Sequence, residues 1–548
     1  MSLTRRADLI IIGRVATLAG DSGWGWQQGV AVAGGRVIGV GPESELEAFA
    51  HAGTKWARLG DEHVVLPGIT DAHLHLMALV LAETQIDLTG MNLDGALAAI
   101  AARHAQRVAS DDADGWLLGH GWSMHDLGGW PDADMLERVA PGRPVALYAH
   151  DHHSRWVSHA ALALAHVDGP RGDAAASLVR RDERGRATGV LHEGGAALVD
   201  DAIPDPPRDV IVDWLHSVAR RLAALGVTGC HDPGELNDEA LMKRGPLIYR
   251  DLATEGRLPL RVHGSIRSPQ LDRALEIGWR SGESVGRYTA GWLKLFADGS
   301  LGSRSAALLE PYLDIVDNPP TGGSRGMVIT DAEELRELLT RAAAGGITGM
   351  VHAIGDGAVR TVLDVYEGLP EVDSPLMRRI EHAQMVDPVD QLRFGALRVA
   401  ASVQPVHLRS DAVQQRAAWG IRAEESFPLR ALLEGGALIP FGTDAPVEPP
   451  DPWPGIVVAV CRRDPFDPDA APVGEDHAIS IERAVRAACL DPALVAGQRD
   501  LGRLLPGYIA DLIVVPSAIA GEEPDPAAVA ALRPAATLIE GLLVHGEL

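Results

Sequence analysis

Short runs of alternating apolar and polar residues occupy both ends of the chain. Asp8-Leu9-Ile10-Ile11-Ile12-Gly13 and Val30-Ala31-Val32-Ala33 are followed, across Gly34-Gly35, by Arg36-Val37-Ile38-Gly39-Val40. Two glycines between two such runs signal a β-hairpin, because glycine reaches the positive φ of a tight turn without steric cost. The other end repeats the pattern in Ala510-Asp511-Leu512-Ile513-Val514-Val515 and again from Thr537 to Gly546. Termini of folded domains often lie close together. Residues 1–63 and 503–548 are therefore expected to build one small composite β-sandwich domain.

Between them the period changes from two to about 3.6 and back. Trp214, Leu215, Val218, Leu222 and Leu225 share one helical face, Gly226 stops that helix, and Val227-Thr228-Gly229-Cys230-His231-Asp232 reads as a strand. Leu335, Leu338, Leu339, Ala342 and Ala343 repeat the face, with Thr330 and Glu333 as a capping box, Gly345-Gly346 as the stop and Ile347–His352 as the next strand. A third case runs from Leu429 through Leu433 and Gly435-Gly436 to Ala437–Asp444. Helix and apolar strand in alternation predict an α/β fold, a parallel sheet covered by helices. A doubly wound sheet has the same rhythm. The number of candidate strands favours a (β/α)8 TIM-type barrel over 64–502, with strands near 64–69, 226–231, 260–265, 291–296, 347–352, 377–382, 399–404 and 437–442. Residues 85–215, with a further strand at 144–149, have no place in that count and read as an insertion; 455–500 read as trailing helices.

Composition narrows the class. Hydrophobic residues make up 46% of 548, enough for a sizeable core, and the longest apolar runs fall far short of a span, which needs roughly 18–20 residues. Arg5-Arg6 precedes an apolar stretch, but Gly13-Arg14 interrupts it and no small-residue cleavage site follows. A strand and a cytoplasmic location are expected, with no membrane partner. Cys230, Cys461 and Cys489 are odd in number and far apart, which disfavours thiolate zinc sites and disulfides. The net charge of −26 argues against nucleic acid, whose phosphates are bound by basic patches. A small-molecule substrate is expected, and homo-oligomerisation is compatible with the composition.

The strand ends carry the chemistry. In Val64-Val65-Leu66-Pro67-Gly68-Ile69-Thr70-Asp71-Ala72-His73-Leu74-His75, residues two apart on a strand point the same way, so His73 and His75 can offer two imidazoles to one cation. Alone, such a pair is as often structural. His352, His382 and Asp444 each end another predicted strand, and ligands collect at strand C-termini in parallel α/β folds. Nitrogen and oxygen donors without cysteine suit zinc, manganese, iron or nickel. Lys294, between Leu293 and Leu295, would point inward, where a bare ammonium is costly. It either pairs with a carboxylate, the commoner solution, or is carbamylated into an anionic ligand. Trp116, Trp122, Trp130 and Trp156 suit an aromatic pocket or a packed core equally.

The chain resembles the amidohydrolase superfamily, and within it amidohydrolase family 3, the group that includes N-substituted formamide deformylases. The motifs that carry the resemblance are Pro-Gly-x-x-Asp-x-His-x-His at 67–75, Gly119-His120-Gly121-Trp122, Lys294 to Gly302, Val351-His352-Ala353-Ile354-Gly355-Asp356, Arg379-Ile380-Glu381-His382-Ala383-Gln384, Gln404-Pro405-Val406-His407 and Phe441-Gly442-Thr443-Asp444-Ala445-Pro446-Val447. The resemblance implies a barrel with a composite β-domain and one or two divalent cations, zinc first. It implies His73, His75 and Asp444 on one cation, and His352 and His382 on a second, with carbamylated Lys294 between them. Asp151-His152-His153-Ser154-Arg155-Trp156-Val157-Ser158-His159 departs from the family, which commonly has Asp-Gly-His and a later Asn-Ser here. His153 fits and His152, Ser158 and His159 do not, which bears on the substrate side.

The expected reaction is metal-assisted hydrolysis of an amide-type C–N bond. Asp444 passes the proton of the attacking water to the leaving nitrogen, and His231 or His407 helps polarise the carbonyl. For these two histidines a purely structural hydrogen bond is the other reading. The alternatives are a deaminase with a single metal and a non-catalytic binding or regulatory protein on the same fold.

Overall fold

A computed structural model of the chain describes residues 6–82, 85–109, 115–149, 154–169, 178–192, 194–200, 202–235, 241, 244–314, 323–521 and 524–548. The chain divides into two compact units, Met1–Leu79 with Leu215–Leu548, and Val80–Trp214. Among the described residues no helix is long and apolar enough to cross a membrane.

In the larger unit both termini enter one sheet. Its strands run in the order Leu542–Gly546, Ala536–Ile539, Leu512–Pro516, His63–Pro67, Leu9–Ala16, Trp26–Ala33 and Arg36–Val40, with Lys55–Arg58 also paired to Leu9–Ala16. Gly34 and Gly35, at φ +55° and +76°, make the expected hairpin turn. Leu9, Ile11, Val30, Val32, Val65, Leu512, Val514 and Leu538 form one buried cluster. Alternation along each strand places these residues together on one face. The sandwich expected for the termini is therefore met by one continuous eight-stranded sheet, not by two separate hydrogen-bonded layers.

The second sheet of this unit is parallel: Ile69–Asp71, Val227–Asp232, Arg261–Arg267, Tyr288–Phe296, Gly349–Ala353, Arg379–His382 and Ala400–Ser402, each beside the next. The short strand Ser284–Val285 pairs antiparallel to Tyr288–Phe296. The strand expected at 64–69 is divided. His63–Pro67 belongs to the terminal sheet and Ile69–Asp71 to the parallel one. Gly68 lies at the break, where an added Cβ would sit 2.4 Å from Thr228 Oγ1.

The strand expected at 437–442 is not regular, since Pro440 has no N–H to give a ladder. The segment still bonds to both edge strands. Ala401 and Val403 donate to the Leu438 and Pro440 carbonyls at 3.0 and 3.1 Å, and Ala72 donates to Phe441 at 2.9 Å. Asp444 N donates to the His73 carbonyl at 2.7 Å. This irregular eighth segment joins the first strand of the sheet to the last.

Helices Arg208–Ala224, Pro246–Thr254, Ala332–Ala344, Asp356–Glu367 and Pro388–Ala396 lie between successive strands in the chain. The N-cap lies one residue beyond the Thr330 expected to open a capping box. Asp331 is the N-cap and accepts from the amides of Glu333 and Glu334, because a carboxylate is the better acceptor for a helix N-terminus. Pro452–Cys461, Ile481–Cys489 and Asp491–Val495 are the trailing helices.

The smaller unit has its own sheet, ordered Val179–Arg181, Ala187–His192, Ser154–Val157, Val145–Ala149, Leu117–Trp122 and Ile86–Asp87. Trp122 and Trp156 are fully buried in its core, and their indole N–H groups donate to the carbonyls of Leu147 and Asp132. Core packing is the role these two tryptophans take. Ser158 is also buried. It caps helix His159–Leu164 and donates to the Arg143 carbonyl at 2.7 Å. His159 meets Asp134 at 2.7 Å on the surface. Residues 151–153, with His152 and His153, lie outside the described residues.

Candidate metal centre

His73 and His75 follow the strand Ile69–Asp71 instead of lying within it. Their backbone is still held in register. Leu74 N donates to the His231 carbonyl at 3.1 Å and His75 N to the Ala445 carbonyl at 2.9 Å. Asp71 ties the two sides together. Its Oδ1 accepts from the amides of His73 (3.1 Å) and Thr443 (3.0 Å), and its Oδ2 accepts from Thr443 Oγ1 at 2.6 Å. Asp444 thus stands opposite the histidine pair, with its Oδ1 3.4 Å from both His73 Nε2 and His75 Nε2. One donor atom from each of these three residues lies within 4.8 Å of the others, and so do donor atoms of His382, His407 and Asp444. His382 and Asp444 sit at left-handed φ of +72° and +62°, strain that persists only where the surroundings enforce it.

The buried environment of His73, His352, His382 and Asp444 favours the protonation states a cation needs. Burial, with Lys294 nearby, lowers the His73 pKa to about 4, and burial lowers His352 to about 3. His382 is likewise held well below the usual imidazole range by burial and by His352. Burial alone would raise the Asp444 carboxyl, but His407, His73 and His75 hold it well below the usual carboxylate range. His73 Nδ1 is hydrogen-bonded to Glu381 Oε2, so its Nε2 carries the lone pair. That Nε2 is buried and has no hydrogen-bond partner among the described residues. An unsatisfied buried acceptor is costly, and a cation between His73, His75 and Asp444 would satisfy it. The residues fit the group.

Residues 61–547 match the model of the amidohydrolase family, the Amidohydro_3 group. The chain belongs to amidohydrolase family 3. It is 30% identical over 521 residues to the protein LONG AFTER FAR-RED 3 of Arabidopsis thaliana, covering 93% of this chain and 87% of that one. It is 27% identical to the N-substituted formamide deformylase of Arthrobacter pascens, covering 94% of each. Among solved structures it is similar to an uncharacterized metal-dependent hydrolase from Pyrococcus horikoshii OT3, with a TM-score of 0.76, 26% identity and coverage of 95% and 98%.

In this amidohydrolase the other expected residues are placed as follows. Lys294, 1% exposed, lies with its Nζ 4.9 Å from the centre of the Phe296 ring. It has no ion pair within 4.0 Å among the described residues, and burial brings its pKa down to about 7. His352 meets His382 edge to face, ring centres 4.4 Å apart, and turns its Nε2 to the Gly299 carbonyl at 3.0 Å. His407, not His352, shares the second group of donors with His382. His407 lies between Asp444 (3.4 Å) and Glu448 (3.7 Å), which raise it to about 10 against the effect of burial. His231 is fully buried and accepts from Arg379 Nη1 at 2.9 Å.

Sequence reasoning assigned no role to Arg379 or Glu381, both at 0% exposure. The available signal was their spacing. Two opposite charges two apart in a short strand face the same side, and on a buried strand that side can only be the interior.

Proposed function

We propose that this amidohydrolase is a metal-dependent hydrolase of an amide-type C–N bond, with N-substituted formamides or N-acyl amines as the substrate class. The observation that carries it is the meeting of His73, His75 and Asp444 around an orphaned, buried His73 Nε2. The bond class is supported by the likeness to the Arthrobacter N-substituted formamide deformylase. His73, His75 and Asp444 would hold one divalent cation, zinc first. A second would lie at His382, with His352 and a carbamylated Lys294. Lys294 supports this reading by being buried, without an ion pair among the described residues and ready to release its proton near neutrality.

A divalent cation supplies Lewis acidity, polarising the carbonyl and lowering a water's pKa toward about 7. The chain's own residues do the rest. Asp444, ionised, accepts the attacking water's proton and delivers it to the nitrogen, which leaves poorly as an anion. His407, charged between Asp444 and Glu448, fixes the orientation of Asp444 by its contact with Oδ2. Burial of the cluster keeps competing water away from the charges and strengthens their interaction.

The test is metal analysis of the purified protein followed by a screen of N-formyl and N-acyl amines. Asp444→Asn should remain folded and show no turnover at saturating zinc. Full activity in that variant sinks the proton-transfer role. A single bound metal with activity only on amino-substituted rings would instead assign a deaminase.

A further inference from the structure

Beneath the donor cluster lies a buried ion pair that the reaction itself does not use. Arg379 and Glu381 project to the same side of the strand Arg379–His382, and neither is exposed. Arg379 Nε pairs with Glu381 Oε1, and Arg379 Nη2 reaches Glu381 Oε2 at 2.9 Å. The same guanidinium donates to Ser402 Oγ at 2.6 Å, to the Ala72 carbonyl at 2.6 Å and to His231 Nδ1 at 2.9 Å. It also stacks over Trp292, 4.8 Å from the ring centre. Glu381 Oε2 in turn accepts from His73 Nδ1.

We propose that the Arg379–Glu381 pair is a positioning device for His73 and sets the affinity of that histidine's site for its cation. This rests on the reading of His73 as a ligand. Two contacts locate His73 independently. Arg379 grips the carbonyl of Ala72, the residue just before it, and Glu381 grips the far nitrogen of its ring. The first fixes where the residue stands and the second fixes ring rotation and tautomer, so Nε2 faces Asp444. A carboxylate on the far nitrogen also makes an imidazole a stronger donor, and losing such a partner typically costs 10–100-fold in metal affinity.

A scaffold role alone does not account for the pair. Removing two charges from water costs several kcal/mol per ion in a dry interior, and apolar residues of similar volume often serve stability as well or better. Arg379 accounts for the presence of Glu381 as an ionised group at this depth. His231 belongs to the same device: it accepts from Arg379, so its proton is on Nε2, and its ring lies tilted against Trp292, centres 5.0 Å apart.

The experiment measures zinc affinity of the metal-free, refilled full-length protein by competition with a chromophoric chelator, together with thermal melts and the visible spectrum of the Co2+-loaded form. Glu381→Gln and the paired variant Arg379→Met/Glu381→Gln should each bind zinc about 10–100-fold more weakly and show a shifted cobalt spectrum. The paired variant removes both charges together, so no uncompensated charge is left to unfold it; it loses the bonds of Arg379 to Ala72, His231 and Ser402 and should melt below wild type while still folding. Wild-type zinc affinity in the paired variant overturns the proposal, whatever its melting point. Should neither variant fold, proton NMR of the wild-type zinc protein decides. A downfield, exchange-protected imidazole N–H supports the Glu381–His73 hydrogen bond, and its absence overturns it. His73→Asn with unchanged zinc affinity would instead overturn the ligand reading beneath the proposal.

Discussion

Replacing Gly442 by alanine tests the placement of His73 without altering any proposed ligand. An added Cβ at Gly442 would lie 2.5 Å from the His73 amide nitrogen, 2.6 Å from its Cβ and 2.9 Å from its Cα. Carbon atoms in contact rest at about 3.5–4.0 Å, so the segments must separate by roughly 1 Å. They cannot do so freely, because Ala72 N to Phe441 O and Asp444 N to His73 O bond them at 2.9 and 2.7 Å. Overpacking of this kind costs about 1–3 kcal/mol. A reacting group displaced by about 1 Å loses on the order of 10²-fold in rate. Gly442→Ala should therefore fold, melt lower, retain less zinc after desalting and lose about 100-fold in kcat/KM. The assays are a thermal melt, elemental analysis and hydrolysis of the best amide from the substrate screen. Gly368→Ala is the control, since its added methyl would meet nothing nearer than 3.8 Å. Zinc content and kcat/KM indistinguishable from wild type in Gly442→Ala would refute the close apposition of these segments.

Other expectations follow from the same geometry. The Lys294 amine must be neutral to attack CO2, and its pKa lies at about 7; the neutral fraction grows as pH rises through that value. At equal dissolved CO2, metal uptake should then be stimulated more at pH 8 than at pH 6, with one added CO2 on Lys294 by mass spectrometry, and equal stimulation at both would refute carbamylation. Asp511 is buried and receives Arg261 Nε at 2.6 Å and the Glu540 amide at 2.7 Å. Asp511→Ala should lose about 1–3 kcal/mol, since Arg261 keeps Glu540 Oε1 at 2.9 Å but loses two charge-assisted hydrogen bonds, and an unchanged denaturation midpoint would contradict it. Burial raises the thiol pKa values of Cys230 and Cys489. Neither should react with a thiol reagent at pH 7 until the protein unfolds, and prompt native labelling of either would count against the packing.

Much of the larger unit could be read from periodicity. Six of the seven parallel strands fall at the expected positions within two or three residues, because each expected run has a glycine or proline near its ends. Two features were less legible. Pro440 made the eighth position look like a strand by its apolar neighbours, while its missing N–H left an irregular segment held by neighbours' donors. Gly68 split one apolar run between two sheets, since only a residue without Cβ passes Thr228 at 2.4 Å, a contact no local pattern records.

The candidate site divides the same way. His352 and His382 lie in the last two residues of their strands, Lys294 two residues before the end of its own, His73 and His75 just past theirs and Asp444 after the irregular eighth segment, and placement near these ends is a local property that the residue order suggests by itself. Which of them meet was decided in three dimensions. His382 follows Glu381 directly and would point away from it on a regular strand; a left-handed φ of +72° ends the strand there and lets both face the interior. His407 comes within reach of Asp444 and His382, and His352 turns to Gly299, through packing between elements far apart in the chain. Arg379 and Glu381 are ordinary charged residues in the sequence. They become a support for His73 only because the parallel sheet brings residues 72, 231, 379 and 402 into one dry interior, where a buried guanidinium is stable only with acceptors around it.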